Sequence, residues 1–317
     1  MSRDSGCMNR DASGEFVRLR RFVGPRYWPI WVFLWLARGI AWLPFSWQIR
    51  IGAGIGHLSY FLARRRRGIC EGNFRRCVPD RDSVGLNRLV RRTFVSNGIG
   101  LMEVGISWYR DPEDFRSRVS IEGLEHLQKA VARGRGVLLV AAHFTTLEIG
   151  GFLLSLFHPM AATYRAHENP LFDGVMFNRR RLRHPRIIER RDVRGMLRCL
   201  REGFVVWYAP DQDYGPRRAV FVPFFGVKAA TITATSRYAG SNGTPVLFFS
   251  HYRKADNSGY HLRISSELDN FPSGDEREDA IRINQLVEAA VREQPDQYLW
   301  LHRRFKTREA GDPSPYR

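Results

Sequence analysis

Apolar residues fall along this chain in short unbroken runs, parted by turn residues and by stretches of helical spacing. The clearest run is Val137–Ala141, with Gly134 and Gly136 leading into it and a polar segment after Ala142. Five apolar residues so bounded predict a buried strand. His143 follows directly, and the apolar segment Leu147–Phe157 predicts the next helix. Thr145 with Glu148 three residues on reads as a capping box, which would satisfy orphan amides at the helix start. The same stretch sets a His and a carboxylate five residues apart at the carboxyl end of a strand, where open α/β sheets bind ligands. An imidazole with one nitrogen held by a carboxylate leaves the other to take a proton from an alcohol. Residues five apart share no helix face, so the pair meets only if His143 precedes the helix and folds back over its first turn. Spacing alone leaves the cap and the catalytic pair both open.

Further strands are predicted at Val119–Ile121, Met160–Tyr164, Arg186–Ile188 and Phe204–Ala209, and helices at Glu125–Arg133, Asn169–Arg183 and Val193–Arg201. Such alternation with short links implies an α/β fold, a mainly parallel central sheet flanked by helices. Pro245–Tyr252 and Tyr260–Ser266 predict a hairpin, Ile281–Glu293 an amphipathic helix, and Gly85–Trp108 one long helix or two. If the strands are parallel, His143, Tyr164-Arg165, Asp211 and Asp213 share one rim. Asp and Gly are also ordinary turn residues, and Arg179-Arg180-Arg181 would ordinarily be a solvated helix face. Facing that rim, the arginines would instead hold phosphates and stabilise an oxyanion.

The N-terminal pattern differs. Residues 1–26 read as a loose basic tail. Tyr27–Trp47 holds 21 residues with one charge, Arg38, and five of the eight tryptophans. That is long enough to cross a bilayer, and tryptophan favours its interfaces. Arg38 near the centre would cost about 2.5–3.5 kcal/mol. A membrane-associated helical segment is expected, spanning or lying in the interface, with a buried core helix as the plainer alternative. Ile49–Ala63 is a second apolar segment, and the four arginines at 64–67 that end it suit an anionic lipid surface. The chain thus divides into a tail (1–26), an anchor with its basic flank (27–67), a main domain (68–310) and a frayed end (311–317).

Of the 50 basic residues only Lys129, Lys228, Lys254 and Lys306 are lysine, and the net charge is +18. Such a balance points to nucleic acid, a membrane surface or a phosphorylated substrate; no nucleic-acid fold signature accompanies it. Cys7, Cys70, Cys77 and Cys199 lack zinc-type spacing and read as reduced thiols, so neither metal nor cofactor is expected.

His143-x4-Glu148 resembles the H-x4-D/E motif of the glycerolipid acyltransferase superfamily. Tyr164-Arg165 with Asn169-Pro170-Leu171, Glu189–Asp192 with Gly195-Met196, Val205–Arg217 (VVWYAPDQDYGPR) with Phe221-Val222-Pro223, and Gln297–Arg308 (QYLWLHRRFKTR) accompany it. Together they are similar to the lipid A late (secondary) acyltransferases of Gram-negative bacteria, over nearly the whole chain. The resemblance implies an inner-membrane enzyme with its site at the cytoplasmic face. It would move a fatty acyl chain from acyl carrier protein to a hydroxyl of an acyl chain on a Kdo-bearing lipid A precursor. His143 would be the general base, with Glu148 orienting it. Arg180 and Asp211 match the family's polar site, and Arg165 and Asp213 would be companions in substrate or oxyanion binding. Acidic carrier, phosphorylated acceptor and inner-membrane lipids would all suit the basic charge. Another lipid or glycolipid acceptor is the rival within the class; a non-catalytic basic membrane or nucleic-acid-binding protein is the rival outside it.

Overall fold

The computed structural model describes residues 16–79, 82–217, 219–309 and 312–316; Cys7 and most of the predicted tail lie outside these. Residues 16–26, read as loose, are folded onto the protein: Phe22 is buried, and Val17 exchanges two backbone hydrogen bonds with the Asn178 side chain, at 2.8 and 2.9 Å. At the other end Tyr316 is also held, its hydroxyl donating to Asn73 Oδ1 at 2.5 Å.

The long apolar run does not form one helix. Helix α1 (Trp28–Ala41) stops after 14 residues, and α2 (Phe45–Leu62) starts behind Pro44. Proline has no amide to continue the ladder and pushes the residue before it out of helical conformation. The buried Gln48 amide holds the corner, donating to the carbonyls of Ala41 and Leu43. At about 1.5 Å per residue α1 reaches about 21 Å, short of the about 30 Å hydrocarbon core. No helix among the described residues is long and apolar enough to cross a membrane, which corrects the transmembrane expectation. The arginines at 64–67 also differ from expectation: they open a further helix, α3 (Arg64–Cys77), rather than close one.

One 27-residue helix, α4 (Ser83–Tyr109), is the spine of the N-terminal half. Gly98 on α4 meets Gly52 and Gly56 on α2 backbone to backbone; a Cβ at Gly98 would collide with both. Then come β1 (Val119–Glu122), α5 (Leu124–Val131), β2 (Val137–Ala141), α6 (Leu147–Leu154), β3 (Ala161–Tyr164) and α7 (Pro170–Arg181). The chain continues through β4 (Ile187–Glu189), α8 (Val193–Arg201), β5 (Val205–Tyr208), β6 (Ala219–Phe224), β7 (Val227–Ile232) and α9 (Ala234–Gly240). It closes with β8 (Val246–Arg253), β9 (Tyr260–Glu267) and α10 (Glu276–Glu293).

The main sheet runs β1-β9-β8-β2-β5-β3-β4, with every neighbouring pair parallel except β8 and β9. The expected mainly parallel sheet and the 245–266 hairpin are therefore present. All five residues of β2 are buried because both faces are covered: Leu138 and Val140 join one core cluster, and Val137, Leu139 and Ala141 the other. A small antiparallel hairpin, β6–β7, stands apart from the main sheet and carries Pro223 within β6.

Candidate functional site

Because β2, β3, β5 and β8 run the same way, their carboxyl ends share one rim, as expected of parallel strands. His143 leaves β2 there and Asp211 leaves the neighbouring β5. The imidazole Nδ1 lies 2.6 Å from Asp211 Oδ1, and the His143 backbone amide donates to Oδ2 at 3.0 Å. The Asp211 side chain is 1% exposed and that of His143 21%, so the carboxylate is sealed and the ring keeps one open edge. Burial pushes the Asp211 carboxyl up, but the His143 charge, its two hydrogen bonds and the Tyr298 hydroxyl more than reverse this, leaving it at about 2. An ionised carboxylate on Nδ1 places the ring proton there and leaves Nε2 as the acceptor. That pair can take a proton from a substrate hydroxyl.

The carboxylate that meets the imidazole is therefore that of Asp211. Glu148, which the motif spacing assigns to this task, is engaged elsewhere: Arg180 grips it through Nε (2.9 Å) and Nη2 (2.6 Å), and the Trp108 indole N–H donates to it at 3.2 Å. Burial alone would raise the Glu148 carboxyl; Arg180 and Trp108 hold it below the usual carboxylate range. The pair clamps the first turn of α6 to α7 and to the end of α4. Among the three arginines at 179–181, Arg180 is the one that turns to Glu148.

The capping box is not made. Thr146 occupies the cap position without capping, and its hydroxyl bonds to the buried His251 instead. Thr145 Oγ1 bonds to Ser96 on α4 at 2.7 Å. Tertiary partners thus take both hydroxyls. Gly150 makes room for the arrangement, since a Cβ there would lie 2.6 Å from the His251 ring.

The other expected residues divide. Arg165 is exposed on the rim after β3. Beside it Arg190 lies over the Tyr214 ring, and burial together with the Arg165 charge holds its guanidinium below the usual value. Two such cations side by side favour an anion. Asp213 is spent on structure: its oxygens accept from Thr307 N (2.6 Å), Thr307 Oγ1 (2.8 Å) and Gly215 N (2.9 Å), and its side chain is fully covered.

Those contacts explain the C-terminal block. Residues 297–299 run along the His143 loop as an added edge: Thr145 N donates to Gln297 O, Leu299 N to His143 O, and Phe144 bridges Tyr298. The Tyr298 hydroxyl reaches Asp211, and His302 Nε2 accepts from the Asp213 amide. The buried Arg304 ties the block to β7 at Ala230 and Thr231. Tyr298 and His302, more than 150 positions from His143, carry no local sign of this proximity. The Glu103–Arg253 ion pair, buried between α4 and the carboxyl end of β8 at 2.7 Å, is equally invisible from spacing. Among the described residues no group of His, Cys, Asp and Glu is placed to hold a metal ion.

Residues 17–307 match the sequence profile of the bacterial lipid A biosynthesis acyltransferases. The chain is 38% identical to the lipid A biosynthesis lauroyltransferase of Escherichia coli (strain K12) over 297 residues, 92% of this chain and 96% of that one. It is 37% identical to the palmitoleoyltransferase of the same organism over 302 residues, covering 94% and 97%. The myristoyltransferase is 28% identical over 300 residues, covering 94% and 93%. With the fold, the rim and this similarity in agreement, the chain belongs to the bacterial lipid A biosynthesis acyltransferase family and is an acyltransferase of that pathway.

Proposed function

We propose that the enzyme moves a fatty acyl chain from acyl carrier protein to a hydroxyl of an acyl chain on a Kdo-bearing lipid A precursor, with His143 as general base. The observation that carries this is the partly open His143 ring with Nδ1 held 2.6 Å from the sealed Asp211 carboxylate. Nε2 takes the acceptor hydroxyl proton as the oxygen attacks the thioester carbonyl. The resulting oxyanion collapses, the carbon–sulfur bond breaks, and the carrier thiolate recovers the proton from the imidazolium. Asp211 is the positioning residue: it sets the ring tautomer and stabilises the imidazolium, a division of labour known from Ser-His-Asp triads. Glu148 and Arg180 act one step back, by fixing the helix that follows His143. Arg165 and Arg190 suit the acceptor's phosphates or acidic sugars, since paired guanidiniums on a rim favour such groups.

The site would work at the inner membrane's cytoplasmic face. Support for membrane contact comes from α1, where Trp28, Val32, Trp35 and Leu36 are 59–74% exposed, and from the exposed arginines at 64–66. An amphipathic helix flanked by cations lies in the interface rather than across the bilayer. The test is transfer of radiolabelled acyl chains from acyl carrier protein to the purified precursor. Wild type should transfer, and His143→Ala should lose about 10²–10⁴-fold in kcat with unchanged melting. Wild-type rates in His143→Ala would remove the base, and transfer only to a different glycolipid would move the acceptor.

A further inference from the structure

Between α1 and α7 lies a groove of about 530 Å³ whose lining includes neither His143 nor Asp211. Trp31, Leu34 and Trp35 of α1 form one wall, Val175 and Leu182 at α7 the other, and Tyr109 the floor. Among the described residues its only charged lining groups are Arg38 and Arg179, and no acid lines it. The volume falls within the about 300–1,000 Å³ of small-ligand sites. The groove is preformed rather than an accident of a loose terminus. Asn178 straps residue 17 to α7 through two hydrogen bonds, and the Trp31 indole donates to Phe22 O at 2.8 Å. Arg179 is itself set in place, 4.8 Å over the Tyr109 ring.

Its surroundings say what it takes. The wall helix carries the exposed apolar face of Trp28, Val32 and Leu36, so the groove opens from the surface that meets lipid. Arg38, unpaired with any acid along α1, and Arg179 put two cations beside an apolar slot. Apolar walls with a cationic edge fit one hydrocarbon chain whose anionic headgroup stays at the interface, where arginine side chains reach it. The groove also faces away from the transfer chemistry: on adjacent residues, Arg179 and Tyr109 line it while Arg180 and Trp108 turn to Glu148.

We infer that this groove binds one acyl chain of an anionic phospholipid of the membrane, its phosphate between Arg38 and Arg179, and so seats the enzyme on the bilayer. The inference rests on the membrane contact proposed above. It can be tested with full-length protein on vesicles of phosphatidylethanolamine and phosphatidylglycerol, the latter carrying a diazirine at one chain end. Photolabel should concentrate on peptides spanning residues 31–38 and 175–182. It should fall at least about fivefold in Arg38→Glu/Arg179→Glu, about 1 kcal/mol per basic residue being typical at such surfaces. A chain-matched phosphatidylcholine probe should label equally poorly. Val175→Phe, checked for unchanged melting, should block labelling and weaken vesicle co-sedimentation without abolishing it, since the exposed face of α1 is left intact. Label spread over Trp28 and Trp47 and indifferent to these variants would overturn the groove and leave only bulk interfacial contact. Labelling by a diazirine-bearing lipid A precursor but not by phosphatidylglycerol would overturn it in favour of the acceptor. Failure to co-sediment, with transfer intact in detergent, would instead strike the membrane reading.

Discussion

At the scale of single residues, the decisive contact is Nδ1 of His143 on Asp211, 68 positions away. The geometry gives the two candidate carboxylates different partners, Asp211 the His143 ring and Glu148 the Arg180 guanidinium. Asp211→Asn would offer Nδ1 an amide with no charge and let the wrong tautomer form. It should lower kcat about 10⁴-fold, the effect of the same change in a Ser-His-Asp site. The acid limb of its residual pH–rate profile should move to lower pH, because the imidazolium loses its counter-charge. Glu148→Gln keeps the shape but leaves Arg180 facing a neutral group. It should lower melting temperature and rate together without moving the acid limb. If the limb moves in Glu148→Gln and stays in Asp211→Asn, the two assignments are exchanged. His143 was legible from its place at the end of a predicted strand together with the family blocks, spacing alone leaving it open. Its partner was not, because strand pairing between β2 and β5, rather than helical distance, brings the carboxylate to the ring.

At the scale of elements, α1 shows how one residue redirects a pattern. Composition over residues 27–47 suits a bilayer span, yet Pro44 and the buried Gln48 fold the run into a corner. The result is a 14-residue helix with an apolar outer face, and its inner face packs on the protein through the buried Leu34 and Ala41. Replacing Trp28, Val32 and Trp35 by Glu should therefore weaken vesicle binding at least about tenfold, from lost apolar burial and repulsion by anionic lipid. Circular dichroism should be unchanged and melting nearly so, since all three are mostly exposed and the one hydrogen bond lost is that from the Trp28 indole to Val23 O. Unchanged co-sedimentation would remove α1 from the membrane contact. The β6–β7 hairpin teaches the reverse lesson. Pro223 looks like a strand breaker, but in a two-stranded ribbon half the amides face outward, and a missing donor there costs little.

At the scale of the whole molecule, the packing that aligns the site also sets its response to acid. His184 and His251 are buried and held neutral, mainly by loss of hydration, at about 4 and about 3. In the unfolded chain each takes a proton near about 6.5. Between those values the unfolded state binds more protons, so stability falls as pH drops from about 6.5 toward 4. Asp211, depressed from 3.8 to about 2, contributes about 2 kcal/mol above pH 4 that is lost only as pH falls toward 2. Urea denaturation should show a drop of several kcal/mol between pH 7 and pH 4.5, before the carboxylate titrates. A flat profile over that range would mean that the two histidines are hydrated in solution.

The sequence by itself determined the order and type of the units from β1 to β5 and of β8, β9 and α10, the strand that delivers His143, and the family. Short apolar runs, glycine boundaries and helical spacing are local properties, and local free energies suffice to read them. Only the tertiary structure decided which carboxylate meets the His143 ring, that Asp213 and the C-terminal block brace the loop, and that the apolar N-terminus turns a corner. Each of these depends on partners tens to hundreds of residues apart, and in a buried site a polar group goes to whichever partner the packing brings within hydrogen-bond reach.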